Sequence, residues 1–167
     1  MSADRALLDT NILIHALDPT SNCYPACDAL VERTKAADSG LCIAPENLAE
    51  FYAIVTNSRR VPTPRSSEEA LSVIEQFLER PGLELLPVPT DLVARWIALV
   101  RRHPVVGGDL FDIQLIATML GNGITRIYTY HRDDFTPFAE LEVIVPTVGA
   151  GEPGPGTPST RPSSQQG

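Results

Sequence analysis

The sequence predicts an α/β protein, with a mostly parallel sheet of about five strands inside an α/β/α sandwich. Two observations point to it. Short apolar runs at 5–9, 41–44, 83–88, 126–130 and 141–145 have the length of strands. Most of the gaps between them hold segments whose apolar residues recur at helical spacing. A third observation sets the boundary. The stretch GAGEPGPGTPSTRPSSQQG from Gly149 has almost nothing apolar to bury and cannot offset its chain entropy. Residues 1–148 therefore read as one domain, long enough for a real core, and 149–167 as a disordered Gly/Pro/Ser-rich tail.

The first strand, RALLD at 5–9, runs into a helix over 10–17 that Asp18-Pro19 stops. Helical spacing returns over 27–37 and ends at Ser39-Gly40. The second strand is LCIA at 41–44, and Pro45 stands where a helix can begin. The helix over 46–58 stacks Leu48, Phe51, Tyr52 and Val55, and a Pro-broken loop with Arg59, Arg60 and Arg65 follows. Ser66-Ser67-Glu68-Glu69 carries capping chemistry for a helix that runs to Arg80 and closes at Pro81-Gly82. Strand three spans 83–88, a helix around Trp96 spans 91–103, and 104–108 is a loop. The next helix starts at Asp109 and ends at Gly121-Asn122-Gly123. Strands four and five are 126–130 and 141–145. In such sheets functional groups gather beyond the C-terminal strand ends, near the point where strand order reverses. Asp9 ends strand one, and the loop after strand four brings Asp133 and Asp134.

Composition excludes several classes. The apolar fraction of 43% suits a globular protein. No apolar run nears the roughly 18 residues of a membrane span, and MSADRALL lacks signal-peptide character, so no membrane association and a cytoplasmic location are expected. Cys23, Cys27 and Cys42 lie in no Cys/His grid; Cys23 and Cys27, one helical turn apart, resemble half a metal site but read as incidental thiols. A formal net charge of −8 repels nucleic acid on average. Binding to it requires a local basic patch or metal ions that invert an acidic field, and a basic protein partner is favoured.

The acids concentrate the interest. In GGDLFDIQLIATM at 107–119, helical periodicity puts Ile113, Leu115, Ile116, Met119 and Leu120 on one face. Asp112 lies within that face and Asp109 one turn earlier, although the opposite side, with Gln114 and Thr118, would hold a charge freely. Burying an unpaired carboxylate costs several kcal/mol, so an Arg or a metal ion must compensate Asp112. Asp9 and Asp109 also stand where helix caps do. Glu50 falls with Glu46 and Asn57 on the polar side of its helix, as a solvated glutamate would. Asp133 and Asp134 stand in an ordinary place for loop acids.

LLDTNILIHAL at 7–17, ENLAEFYAIVTN at 46–57, LFDIQLIATMLGNG at 110–123 and IYTYHRDDF at 127–135 occur in the order and approximate spacing of the PIN-domain ribonucleases. They most resemble the VapC toxins of bacterial type II toxin–antitoxin (VapBC) modules. The resemblance covers residues 7–145 and implies a single PIN-like α/β/α domain that cuts RNA with Mg²⁺ or Mn²⁺. It also implies a cognate VapB-type antitoxin and a homodimer. By the resemblance Asp9, Glu50 and Asp112 are catalytic and hold the metal. The fourth acid is Asp134, with Asp133 beside it and Asp109 as an extra acid ahead of Asp112.

Three or four bare carboxylates expel a phosphodiester, and hard divalent cations make such a site attractive and generate hydroxide from bound water. No Cys or Ser nucleophile is needed. Thr10 or Asn11 could position a metal water, with helix capping the alternative for Thr10. Arg59, Arg60 and Arg132 are the residues proposed to contact RNA, with Arg65 in the same loop as Arg59 and Arg60, and Arg101, Arg102 and His103 form a second basic run. His131 is a phosphate contact or a surface residue. Two alternatives stay open: a catalytically weak PIN-like RNA- or protein-binding module, and a haloacid-dehalogenase-like phosphatase. The phosphatase would want a second Asp where Asn11 stands and a late lysine, whereas Lys35 is the only lysine.

Overall fold

The computed structural model describes residues 4–149, so the tail expected at 149–167 lies outside them except for Gly149. Five strands, Ala6–Leu8 (β1), Leu41–Ile43 (β2), Leu83–Leu85 (β3), Arg126–Tyr128 (β4) and Glu142–Ile144 (β5), form one sheet in the order β3-β2-β1-β4-β5. Every neighbouring pair is parallel. The helices are Thr10–His15 (α1), Tyr24–Glu32 (α2), Pro45–Val55 (α3), Ser67–Leu78 (α4), Leu92–Arg102 (α5), Leu110–Gly121 (α6) and Arg132–Phe135 (α7). The α/β/α arrangement is the one the sequence predicts.

Successive residues of β1 feed opposite cores, as the period of a strand requires. Leu8 joins Ile12, Leu13, Val31, Phe51 and Phe77 on the face covered by α1–α4. Leu7 joins Leu99, Ile113, Ile116, Met119 and Phe135 on the face covered by α5 and α6. The chain builds β1, β2 and β3 outward in one direction, then returns to lay β4 on the other side of β1. Strand order therefore reverses between β1 and β4, and the crevice beyond their C-terminal ends is where this topology places a site.

Several boundaries differ from the sequence reading. Each strand is three residues long. Asp9 N–H to Tyr128 O and Thr129 N–H to Ile144 O, both 3.0 Å, continue the ladder one step past β1 and β4, and the chain then turns away. The second helix begins at Tyr24 rather than residue 27, because Pro25 presets its first turn. It ends at Glu32, followed by a 3₁₀ turn at Arg33–Lys35 in which the Thr34 hydroxyl donates to Val31 O at 2.6 Å. Asp109 belongs to a 3₁₀ turn, Gly107–Asp109, that enters α6. Gly107 has φ +63°, a conformation glycine tolerates best. Asp133 and Asp134 sit in the first turn of α7 instead of a loop. The Ser66 cap is as read: Ser66 Oγ accepts Glu69 N–H and Glu69 Oε2 accepts Ser66 N–H.

The larger correction concerns α6. Ile113 and Leu115–Met119 are all buried, and Thr118, expected on a solvent side, is 0% exposed. From Leu115 to Met119 α6 has no free face, because α5, α3 and the sheet enclose it there.

Candidate active site

The site grows from the end of β1. Asp9 fills the N-cap position of α1 with extended backbone and is only 5% exposed. Its Oδ1 accepts the Thr10 N–H at 2.7 Å. Its Oδ2 accepts the Asn11 Nδ2 amide and the Thr129 hydroxyl, each at 2.6 Å. Thr129, the first residue past β4 and fully buried, also accepts from Asn11 Nδ2 at 3.1 Å and from the His131 N–H at 2.9 Å. Asn11 Oδ1 accepts the Tyr130 N–H at 3.2 Å. The two loops at the topological switch are thus knotted through one carboxylate. Burial pushes the Asp9 carboxyl above its ordinary range, against the pull of the Thr129 and Thr10 hydrogen bonds, and Glu50 adds to the rise.

Glu50 is exposed on α3, and its Oε2 accepts the Thr10 hydroxyl at 2.6 Å. The Thr10 side chain therefore ties α1 to α3 instead of capping its own helix. Asn47 supports that corner by accepting the Ala44 N–H at 2.9 Å, which anchors the entry to α3.

Asp112 is half-buried in the first turn of α6. Its carboxyl is pushed up to about 6, first by burial and then by the carboxylates of Asp134, Asp9, Glu50 and Asp109. The fold thus brings together acids separated by more than a hundred residues of chain. Asp109, Asp133 and Asp134 are exposed, and Asp134 is the strongest of the carboxylates acting on Asp112. Among the described residues no Arg, Lys or His forms an ion pair with any of these six acids. Of the two compensations the sequence allowed for Asp112, arginine is not used.

Sequence reasoning missed a neighbouring pair. Glu46, expected in solvent with Glu50, is half-buried; its Oε1 accepts the Thr118 hydroxyl of α6 at 2.6 Å, and its Oε2 is buried without a partner. The pair joins α3, which carries Glu50, to α6, which carries Asp112. Thr129 was also not singled out, although a polar residue ending the strand at the switch point was the available signal.

Arg59, Arg60 and Arg132 are exposed, and Arg65 is half-buried. In the second basic run Arg102 pairs with Glu140 at 2.6 Å and His103 packs against Phe138 with ring centroids 4.5 Å apart, so two of its three members are already engaged. Cys23 and Cys27 are free thiols and belong to no group of three metal-ligating side chains among the described residues.

A PIN domain profile matches residues 6–141. The chain belongs to the PIN domain family. This PIN domain is 28% identical over 145 residues to "Ribonuclease VapC24" of Mycobacterium tuberculosis, across 86% of this chain and 98% of the relative. Its fold matches VapBC2 from Rickettsia felis, solved on a promoter DNA fragment, with a TM-score of 0.57, 18% identity, and coverage of 85% of this chain and 98% of that one. It also matches Mycobacterium tuberculosis VapC20, described as a sarcin-ricin loop cleaving toxin, with a TM-score of 0.56, 17% identity, and coverage of 81% and 98%.

The donor set of this PIN site suits a hard divalent cation in kind: oxygen ligands only, none neutralised by a described basic side chain. As placed, no three of the described His, Cys, Asp or Glu side chains meet within ligating reach of one point.

Proposed function

We propose that this PIN domain is a Mg²⁺- or Mn²⁺-dependent endoribonuclease and the toxin of a VapBC-type module. The observation that carries the reading is Asp112, a half-buried acid raised to about 6 by burial and by four other carboxylates, with no basic side chain among the described residues in an ion pair with it. A fold that assembles such repulsion without an internal cation is arranged for an external one.

Asp9, Glu50 and Asp112 hold the metal, with Asp134 as the fourth acid and Asp109 and Asp133 at the margin. When bound, the cation offsets the field that repels a phosphodiester and lowers the pKa of a water. Thr129 and Asn11 occupy Asp9 Oδ2 and fix the carboxylate plane, while Oδ1 keeps a free lone pair. Thr10 holds one oxygen of Glu50 and leaves the other available. Arg59, Arg60 and Arg132 contact the RNA backbone.

The VapBC2 complex supports a VapB-type antitoxin as partner. A basic antitoxin side chain directed at Asp9, Glu50 and Asp112 takes the place of the cation, and arginine suits this through its bidentate fork. Exposed Leu71 and Leu78 on α4, Leu85 of β3 and Val93 on α5 offer apolar surface for a homodimer. No helix among the described residues is long and apolar enough to cross a membrane, which is compatible with a cytoplasmic protein.

The test is to incubate the purified protein with total cellular RNA in EDTA, Mg²⁺ or Mn²⁺ and to sequence the new ends. A restricted set of ends is expected with metal only, and none from Asp112→Asn. The same ends in EDTA, or from the variant, would overturn the assignment.

A further inference from the structure

Phe111 is 72% exposed and is the only aromatic among the exposed large hydrophobic residues described. It precedes Asp112 on a helix whose apolar residues from Ile113 to Met119 are all buried. Its side of α6 is known from the packing. Phe111 and Thr118 are nearly two turns apart and so share a face, and Thr118 meets Glu46 of α3. Phe111 therefore stands on the side of α6 that faces α3, the helix that carries Glu50 one turn after Glu46.

We infer that Phe111 is a stacking platform for a nucleobase beside the cleaved phosphate. The inference rests on the nuclease reading above. Four carboxylates, Asp134, Asp9, Glu50 and Asp109, act on Asp112 here, and the chain carries a net charge of −8. A bound cation offsets this field only locally, so a base beside the scissile phosphate gains from an attraction that does not depend on charge, in addition to the arginine contacts proposed for the backbone. The face of a phenyl ring supplies one, and it accepts any base because every base has a π-face. Bases within an RNA duplex are already stacked and cannot be splayed onto a side chain without loss, whereas loop and single-stranded bases can.

The experiment uses the full chain and a short labelled RNA spanning a cleavage site found in total RNA, with a second copy made abasic at the nucleotides next to the scissile bond. Phe111→Ala is expected to raise KM on the intact RNA roughly 5- to 100-fold, with a smaller effect on kcat, and Phe111→Trp to restore it. On the abasic RNA the wild type and Phe111→Ala are expected to have the same KM. Unchanged KM for Phe111→Ala, or an equal penalty on both RNAs, would overturn the stacking role while leaving the nuclease reading intact. A drop in molecular mass of Phe111→Ala by sedimentation would assign the ring to a second copy of this chain and overturn it as well. A wild-type protein that cleaves no RNA would remove the nuclease reading and this inference together.

Discussion

The Thr129 hydroxyl donates to Asp9 Oδ2 across 2.6 Å, linking the residue after β4 to the residue after β1 at the point where strand order reverses. Both side chains are buried, and the bond opposes the effect of burial on the Asp9 carboxyl. Thr129→Val keeps the shape and removes the donor. Hydrogen bonds to charged groups contribute about 1.5–3 kcal/mol, so urea unfolding in EDTA at pH 7 is expected to show a loss in that range. Cleavage should fall as well, because the carboxylate plane is no longer fixed. An unchanged denaturation midpoint would mean that Asn11 and Thr10 suffice.

Asp112 makes stability depend on pH when metal is removed. Its carboxyl titrates near 6 in the fold against 3.8 for the free side chain, so between about pH 4 and 6 the folded state binds more protons than the unfolded one. Stability must then fall as pH rises through this window, by about 1–2 kcal/mol once solvent screening of a half-buried group is allowed for. Asp112→Asn should abolish this contribution and leave the protein more stable than wild type at pH 7 in EDTA, since it removes a repelled charge. Thermal melts from pH 4 to 7 measure both. Added Mg²⁺ should reverse the order by stabilising the wild type more than the variant.

The Glu46–Thr118 pair predicts non-additivity. Thr118→Val leaves both oxygens of a half-buried carboxylate without a protein donor and is expected to cost about 1–3 kcal/mol. Adding Glu46→Leu removes the stranded acid, so the double variant should be closer to wild type than Thr118→Val alone. A double-mutant cycle by chemical denaturation checks it, and strict additivity would show that the two side chains do not depend on each other.

How far the site was legible follows from where each partner lies in the chain. Asp9 could be read because an apolar strand stops there and a helix starts. Asp112 stood out because it interrupts an apolar helix. Glu50 carries no such mark: it is exposed, and its one tie, to Thr10, spans 40 residues, so the family resemblance alone singled it out. Thr118 and Glu46 were misplaced for a related reason. Periodicity divides a helix into two faces, whereas α6 has neighbours on three sides and α3 has a second contact face. A polar pair 72 residues apart leaves no local pattern. The strands were legible in position along the chain but not in length, because the ladder ends where the site residues turn out of the sheet.

The arginines separate by what already engages them. Arg102 is paired with Glu140, whereas Arg59, Arg60 and Arg132 are exposed and form no ion pair among the described residues. A side chain that neutralises a phosphate releases counterion on binding, so its loss lowers the slope of log affinity against log salt by roughly 0.7–1 per contact. Arg59→Ala, Arg60→Ala and Arg132→Ala should each weaken binding to unrelated single-stranded RNAs by a similar factor and flatten that slope. Arg102→Ala should leave the slope unchanged and reduce stability by at most about 1 kcal/mol, the usual worth of a surface ion pair. Anisotropy titrations at several salt concentrations distinguish the two groups. A flattened slope for Arg102→Ala with none for the other three would move the RNA path from the α3 and α7 side of the cleft to the end of α5.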